Sequence, residues 1–257
     1  MTQELQRLVD LSGQTALVTG AGAGIGRAIA ETFAAAGASV VVTDRTLEGA
    51  RVVAEAIVAA GGKAVAVACD VTDEAAMEAA VGAAVEAFGG VTILVNNAGG
   101  GGPKPFEMPM GDFEWAYRLN VYSTFRMSQL CVPHMERAGG GAILNISSMA
   151  GENKNQRMAS YGSSKAAVNH LTRNMAFDLG PKNIRVNAIA PGAIRTAALA
   201  TVLTPEIEGA MLKHTPLGRL GEARDIAHAA LFFCGRGSLW VSGQVLTVSG
   251  GGVQELD

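Results

Sequence analysis

The sequence contains few residues that could form disulfides or bind metals. It has only three cysteines, Cys69, Cys131 and Cys234, and these lie far apart in the chain. An odd number of cysteines without short spacing argues against a disulfide framework and against a metal knuckle. The four histidines are equally scattered, so we expect no metal site. Unpaired thiols are typical of a reducing compartment, and we therefore expect a cytoplasmic protein.

Long apolar runs and an excess of charge are also absent. No stretch approaches the roughly 20 apolar residues that a membrane-spanning helix needs, and the first ten residues lack the apolar centre of a secretory signal. The formal net charge is −3, and the lysines and arginines form no cluster. We therefore expect no membrane insertion and no nucleic-acid partner.

Short apolar runs alternate with helical patterns along the whole chain. The apolar runs begin near residues 14, 38, 63, 91, 141, 184 and 244. Alanine-rich helical patterns over 24–36, 46–60 and 73–87 lie between them and stop at glycines, as helices often do. This alternation predicts an α/β protein with a single-domain, doubly wound Rossmann fold, about seven parallel strands and helices on both faces.

We expect residues 1–257 to form one domain. Its cofactor half covers about 12–140, and its catalytic and substrate half covers about 141–257. Apolar residues at helical spacing predict a helical lid over about 194–215, although ordinary packing or an oligomer contact would explain them equally well. These residues are Leu199, Val202, Leu203, Ile207, Met211 and Leu212.

A glycine-rich turn follows the first predicted strand and opens the first predicted helix. Its glycines, Gly20, Gly24 and Gly26, allow a tight turn and a close approach of the backbone to a pyrophosphate at a helix N-terminus. The strict G-x-G-x-x-G spacing is absent. A dinucleotide site is one interpretation; a flavin site, a methyl-donor site or a simple tight loop are others.

An aspartate at the end of the second strand bears on the choice of cofactor. Asp44 is placed where an acid can bind the adenosine ribose hydroxyls and repel a 2′-phosphate, so it favours NAD over NADP. Capping of the following helix is the alternative role. The neighbouring Arg45 could instead accept a phosphate.

Three further strand ends carry residues suited to a bound cofactor. Asp70 and Val71 end the third strand, where they can flank the adenine. Small residues in Asn97-Ala98-Gly99 let a cofactor lie against the backbone, and Pro191-Gly192 can expose backbone groups to a nicotinamide. A turn-forming role is the alternative for Asn97.

A serine, a tyrosine and a lysine could form a proton-transfer site. Tyr161 and Lys165 are four residues apart on a predicted helix and therefore share one face. A nearby ammonium favours the phenolate, so we expect Lys165 to lower the pKa of Tyr161. Ser148 follows a predicted buried strand, and its hydroxyl could reach the same substrate oxygen as the phenol. The Tyr-x-x-x-Lys pattern alone also occurs by chance.

Taken together, these motifs resemble the short-chain dehydrogenase/reductase family in order and spacing over nearly the whole chain. The segments that carry the resemblance are Thr19-Gly-x-x-x-Gly-x-Gly26, Asn96-Asn-Ala-Gly99, Asn120, Ser148, Tyr161-x-x-x-Lys165 and Pro191-Gly192. The resemblance implies hydride transfer with a nicotinamide cofactor, and a homotetramer assembled through long helices and the C-terminal segment.

The resemblance also implies roles for individual residues. Tyr161 would be the base, Ser148 would stabilise the substrate oxygen, Lys165 would bind the nicotinamide ribose, and Asn120 would orient a water that links Lys165 to solvent. The cofactor residues would be Gly20, Gly24, Ile25, Gly26, Asp44, Arg45, Asp70, Val71, Asn97, Ala98, Gly99, Tyr161, Lys165, Pro191, Gly192, Ile194 and Thr196.

A second set of segments is similar to the bacterial NAD-dependent 7α-hydroxysteroid dehydrogenases. This similarity implies oxidation of the 7α-hydroxyl of a bile acid of the cholic or chenodeoxycholic type, with NAD as the cofactor. Gly101, Ser148, Asn153 and Tyr161 would contact the steroid. The segments are 96–106, Glu152-Asn-Lys-Asn155, 174–179 and 247–256.

Two alternative functions stay open at this point. A 3-oxoacyl-carrier-protein reductase or another carbonyl reductase of the same family would usually prefer NADPH, which Asp44 disfavours and Arg45 allows. A non-catalytic dinucleotide sensor belongs to a different class of protein. Such sensors typically lose the tyrosine or the lysine, and this sequence has both.

Overall fold

A central parallel sheet organises the computed structural model, which describes residues 3–154, 156–201 and 203–252. Its seven strands lie in the order β3-β2-β1-β4-β5-β6-β9, and every neighbouring pair is parallel. The seven apolar runs of the sequence correspond to these strands. The strands are β1 (Thr15–Val18), β2 (Ser39–Asp44), β3 (Lys63–Ala68), β4 (Ile93–Asn96), β5 (Gly141–Ile146), β6 (Ile184–Pro191) and β9 (Val245–Val248).

Helices cover both faces of the sheet and create two cores. One core lies under α2, α3 and α10, and the other lies under α4, α6 and α7. Along β1, Ala16 and Val18 pack into the first core and Leu17 into the second, as the two-residue period of a strand requires. The helices are α1 (Gln3–Val9), α2 (Gly24–Ala35), α3 (Leu47–Ala59), α4 (Glu74–Phe88), α5 (Met110–Tyr117), α6 (Ser123–Arg137), α7 (Ala159–Leu179), α8 (Ala197–Ala200), α9 (Pro205–Lys213) and α10 (Ala223–Cys234).

The predicted fold class, a doubly wound sheet of about seven parallel strands, is therefore confirmed. One element was not expected: β7 (Ile194–Arg195) pairs with β8 (Gly221–Glu222) in a separate two-stranded sheet. Two-residue strands carry no period that a sequence could reveal. Among the described residues no helix combines the length and the low polarity needed to cross a membrane.

The predicted lid contains two short helices, α8 and α9, rather than one continuous helix. Thr204 caps α9, and Pro205 occupies its first turn. A proline restricts the residue before it to extended conformations, so the helical apolar pattern is interrupted there. Val202, Asn155 and residues 253–256, which the sequence analysis used, lie outside the described residues.

Buried asparagines join the two central strands beneath the cleft. The Asn96 side-chain amide donates to Asn145 Oδ1 at 2.9 Å and to Ser128 Oγ at 3.2 Å, and Asn145 donates in turn to Thr172 Oγ1 at 2.9 Å. This network links β4 and β5 to α6 and α7. Its members are buried, so losing one of them leaves a partner without water to replace the bond.

We expect Asn96→Ala to lower the free energy of unfolding by about 1–3 kcal/mol, because Asn145 Oδ1 loses its donor in the core. Urea denaturation at neutral pH measures the change. Val52→Ala, at a half-exposed position on α3, is the control. A loss no larger than that of the control would contradict a role for the network in stability.

Candidate active site

The glycine turn after β1 is shaped by neighbours that leave no room for side chains. Gly20 and Gly24 have φ angles of +61° and +56°, a region that favours glycine. A Cβ on Gly26 would lie 2.3 Å from the carbonyl oxygen of Gly20 and 2.4 Å from Asn97 Nδ2. Helix α2 then begins at Gly24, and Ala23, which precedes it, provides no side-chain cap. The first-turn N–H groups therefore form an anion site suited to a pyrophosphate.

Asn97 braces this turn from the neighbouring strand. Its side-chain amide donates to the carbonyl oxygens of Thr19 and Gly20, at 2.8 and 3.0 Å. Thr19 Oγ1 accepts from the backbone N–H groups of Asn97 and Ala98. Thr19 was not proposed as a site residue, although its position at the strand end was visible. The side-chain amide of Asn97 therefore stabilises the glycine turn.

Two acids, Asp44 and Asp70, lie at or just after the ends of β2 and β3, where we expect the adenosine of the cofactor. Asp44 lies beside the glycine turn, and its Oδ2 accepts from the N–H of Gly22 at 3.1 Å. Asp70 accepts two bonds from Thr72, which lower the pKa of its carboxyl, and the charge of Arg45 lowers that pKa further. Val71 is buried next to Asp70.

Residues after β6 complete the opposite wall of the cofactor cleft. Ile194 is buried in β7, and Thr196 caps α8 through a bond from the N–H of Leu199 to its Oγ1. A Cβ on Gly24 would lie 3.5 Å from Thr196 Cγ2, so Thr196 lies next to the glycine turn. Gly192 packs against Ser249 at the end of β9.

Ser148, Tyr161 and Lys165 converge at the carboxyl end of β5. Ser148 caps a single 3₁₀ turn, Met149–Gly151, by accepting from the N–H of Ala150 at 3.1 Å, and its hydroxyl also lowers the pKa of the nearby Tyr161 phenol. Lys165 lies one turn after Tyr161 on α7, with its Nζ 5.9 Å from the centroid of the phenol ring. The ammonium donates to the carbonyl oxygen of Ile146 at 2.9 Å.

Burial shifts the titration of both groups toward their neutral forms. It raises the pKa of Tyr161 above its ordinary value, and the Ser148 hydroxyl only partly opposes this effect. Burial also lowers the pKa of Lys165 to about 8. The pKa of Tyr161 is therefore raised overall and not lowered as we expected, because desolvation dominates.

Asn120 lies in the core of the site and not on the helix surface, where an asparagine in mid-helix is usually found. It is 1% exposed and belongs to a π-helical turn, Arg118–Tyr122, between α5 and α6. Its amide donates to Gly100 O and Ser164 Oγ, and its Oδ1 accepts from Gly100 N. A Cβ on Gly99 would lie 2.8 Å from Asn120 Oδ1 and 3.0 Å from Lys165 Nζ, so these two polar groups lie close together.

Gly101 and Asn153 are the remaining residues for which we expected substrate contacts. Gly101 lies against the ring of Tyr161, since a Cβ there would be 2.6 Å from Tyr161 Cδ2. The Asn153 side-chain nitrogen is buried and has no hydrogen-bond partner. A buried donor without a partner is costly, and a polar ligand group would satisfy it.

Comparisons with known proteins agree with this geometry. A family model described as enoyl-(acyl carrier protein) reductase matches residues 20–252. The chain belongs to the short-chain dehydrogenase/reductase family. The family resemblance inferred from the motifs is therefore confirmed.

Individual members of the short-chain dehydrogenase/reductase family give a finer comparison. The 7α-hydroxysteroid dehydrogenase of Escherichia coli strain K12 is 63% identical over 247 residues, which are 96% of this chain and 97% of the relative. A solved structure, described as 7α-hydroxysteroid dehydrogenase complexed with NADH and 7-oxo glycochenodeoxycholic acid, matches with a TM-score of 0.96 and 61% identity over 100% of both chains. A 3-oxoacyl-[acyl-carrier-protein] reductase of Aquifex aeolicus is 38% identical, covering 95% of this chain and 98% of the relative.

Because the pKa of the buried Lys165 is lowered, we expect the free energy of unfolding of this short-chain dehydrogenase/reductase to depend on pH. The folded protein releases the Lys165 proton near pH 8, whereas the ordinary value is 10.5. Between these values the unfolded chain binds more protons, so raising the pH from 8 to 10 should stabilise the fold through this group by roughly 2–3 kcal/mol.

The measurement compares the free energy of unfolding of wild type and Lys165→Met at pH 8 and pH 10. The raised pKa values of the buried cysteines work in the opposite direction, but they are common to both proteins and cancel in the difference. Lys63→Met, at an exposed strand position, is the control. A constant difference between wild type and Lys165→Met would contradict the shifted lysine.

Proposed function

We propose that the chain oxidises the 7α-hydroxyl of a bile acid of the cholic or chenodeoxycholic type to the 7-oxo steroid, with NAD as the cofactor. The observation that carries this proposal is the match of the whole chain, with a TM-score of 0.96 and 61% identity, to an enzyme complexed with NADH and a 7-oxo bile acid. Ser148 and Tyr161, which interact through their side chains, and Lys165 one turn away would provide the proton-transfer chemistry that this oxidation needs. The lower identity to the 3-oxoacyl reductase makes that activity the weaker candidate.

The described residues fit a nicotinamide dinucleotide. The uncapped start of α2 would hold the pyrophosphate, Asp44 the adenosine ribose, and Asp70 and Val71 the adenine edge. Thr196 and Lys165 would face the nicotinamide end, where Lys165 would bind the ribose. When bound, the nicotinamide ring accepts the hydride from the carbon that carries the hydroxyl.

Tyr161 accepts the proton of the substrate hydroxyl in this mechanism. Burial raises the pKa of the Tyr161 phenol, and positive charge close to the phenol would favour the phenolate that takes the proton. Ser148 donates to the substrate oxygen and stabilises the charge that develops there. The proton would then pass by way of Lys165 to a water that leads to solvent. Asn120, whose Oδ1 lies near Gly99 as Lys165 Nζ does, would orient that water.

Gly101 and Asn153 are the proposed steroid contacts. Gly101 allows the substrate to reach the tyrosine along the backbone, because any side chain there would collide with the ring. Asn153 offers a buried donor without a partner to a polar group of the steroid. The apolar residues of α8 and α9, such as Leu199 and Ile207, would cover the rings.

We also propose that the protein is cytoplasmic and forms a homotetramer. The three cysteines are buried and unpaired, which supports a reducing compartment. Trp240 is fully exposed and Phe177 is 85% exposed, and such apolar side chains support an assembly that covers them. Light scattering of the purified protein gives its mass in solution, and a monomer would contradict the assembly.

The activity is tested with purified protein, cholic acid and either NAD or NADP, by following the near-ultraviolet absorbance of the reduced cofactor. We expect turnover of cholic acid and of chenodeoxycholic acid with NAD, and none of ursodeoxycholic acid, which is the 7β epimer of chenodeoxycholic acid. If no bile acid is turned over and a 3-oxoacyl thioester oxidises NADPH, the assignment of the catalytic residues would stand. The assignment of a bile acid as the substrate would be contradicted.

We expect Tyr161→Phe to lose nearly all turnover and to keep its affinity for NAD, because only the proton acceptor is removed. Tyr122→Phe, at an exposed tyrosine, is the matched control and should resemble wild type. The kcat of each variant and the Kd for NAD from fluorescence titration are compared. Substantial residual kcat in Tyr161→Phe would show that another group takes the proton.

A further inference from the structure

The Asp44 carboxylate is held in one orientation by the backbone. Its Oδ2 accepts from the N–H of Gly22 at 3.1 Å, and its Oδ1 accepts from the N–H of Thr46 at 3.3 Å. Each oxygen therefore uses one lone pair on the protein and keeps another for a ligand. These two bonds limit rotation of the side chain, so the carboxylate is positioned before any cofactor arrives.

Gly22 makes room for this orientation. A Cβ on Gly22 would lie 2.8 Å from both Cγ and Oδ2 of Asp44 and 3.0 Å from the carbonyl carbon of Gly49. The two distances to Asp44 are shorter than real contacts of a Cβ, and the backbone of Gly49 limits a shift of the added group away from the carboxylate. The φ angle of Gly22 is not in the left-handed region, unlike those of Gly20 and Gly24. Space for Asp44, and not backbone conformation, is therefore the reason for a glycine at position 22.

The neighbouring Arg45 acts on the other acid at this end of the site, Asp70. Its side chain is exposed, and its charge acts on the carboxyl of Asp70, where it adds to the effect of the Thr72 bonds on the pKa. The acid that faces the glycine turn is Asp44, through its bond to Gly22.

We propose that Gly22 is a specificity-determining positioning residue, which selects NAD over NADP by fixing the Asp44 carboxylate against the turn. The fixed carboxylate accepts from the ribose hydroxyls of NAD and repels a 2′-phosphate at the same place. This inference depends on NAD being the cofactor of the proposed function. It does not depend on which alcohol is oxidised.

The test is titration calorimetry of the purified protein with NAD and, separately, with NADP, without substrate. We expect Gly22→Ala to weaken NAD about tenfold to 100-fold, the range expected when a hydrogen bond to a charged group is lost. The Kd for NADP should change by less than about threefold, so the ratio of the two affinities falls. Gly82→Ala on α4, where a Cβ meets nothing within 4 Å, is the matched control and should bind both as wild type does.

A double-mutant cycle separates an effect through Asp44 from a general disturbance of the turn. In an Asp44→Ala background, Gly22→Ala should have no further effect on the Kd for NAD, since the group it positions is gone. An equal loss for NAD and NADP in Gly22→Ala would overturn the proposal. The proposal would also be overturned if Gly22→Ala raised the Kd for NAD as much in the Asp44→Ala background as it does in wild type.

Thermal unfolding shows whether Gly22→Ala folds. If it does not, Asp44→Glu tests instead whether the position of the carboxylate determines the affinity for NAD. The longer side chain retains the charge but cannot keep the carboxylate in the same place beside Gly22. We expect it to lose NAD affinity about as much as Asp44→Ala does. Wild-type affinity for NAD in Asp44→Glu would show that charge alone suffices and would overturn the proposal.

Failure of wild type to bind NAD would contradict the cofactor itself, whereas NAD binding without turnover of bile acids would contradict only the substrate.

Discussion

The parallel pairing of β1 with β2 on one side and with β4 on the other is the constraint on which the whole cleft depends. Because every strand of the main sheet runs the same way, residues that follow the strands meet at one edge. The chain leaves β1 into α2 on one face, and the strand order reverses between β1 and β4, which opens a crevice there. Thr19, Asp44, Asn97 and Ser148, which are distant in sequence, line this edge for that reason. The bonds from Asn97 to the glycine turn then fix the distance between the two halves of the crevice.

Burial determines the electrostatic state of the catalytic end. Lys165 and Tyr161 are both largely removed from water, and desolvation favours the neutral form of each. The phenolate of Tyr161 and the ammonium of Lys165 are therefore both less favoured than they would be in water. A positive charge close to the phenol would oppose this effect on Tyr161. The carbonyl of Ile146 holds the lysine in place without supplying an opposite full charge.

Local patterns predicted the parts of this structure that local physics determines. The apolar runs and the glycines after them correspond to the seven strands and to the ends of α2, α3 and α4. Contacts between distant segments were not predictable from the sequence. The burial of Asn120 arises from a π-helical turn whose residues carry no distinctive pattern, and the approach of Thr196 to Gly24 depends on the path of the chain after β6. The direction of the Tyr161 pKa shift was missed because spacing on a helix reveals proximity but not the extent of desolvation.

The cleft is defined as much by missing side chains as by those present. Gly26 leaves room for the turn, Gly22 for Asp44, Gly99 for the ammonium of Lys165, and Gly101 for the ring of Tyr161. Each of these glycines faces a different functional group, so a methyl group at each position would disturb one function first. A methyl at Gly22 acts at the adenosine end, whereas a methyl at Gly101 acts on the proton acceptor. In our proposals, cofactor choice and proton transfer would therefore be set at opposite ends of the site, by backbone that approaches closely where no side chain intervenes.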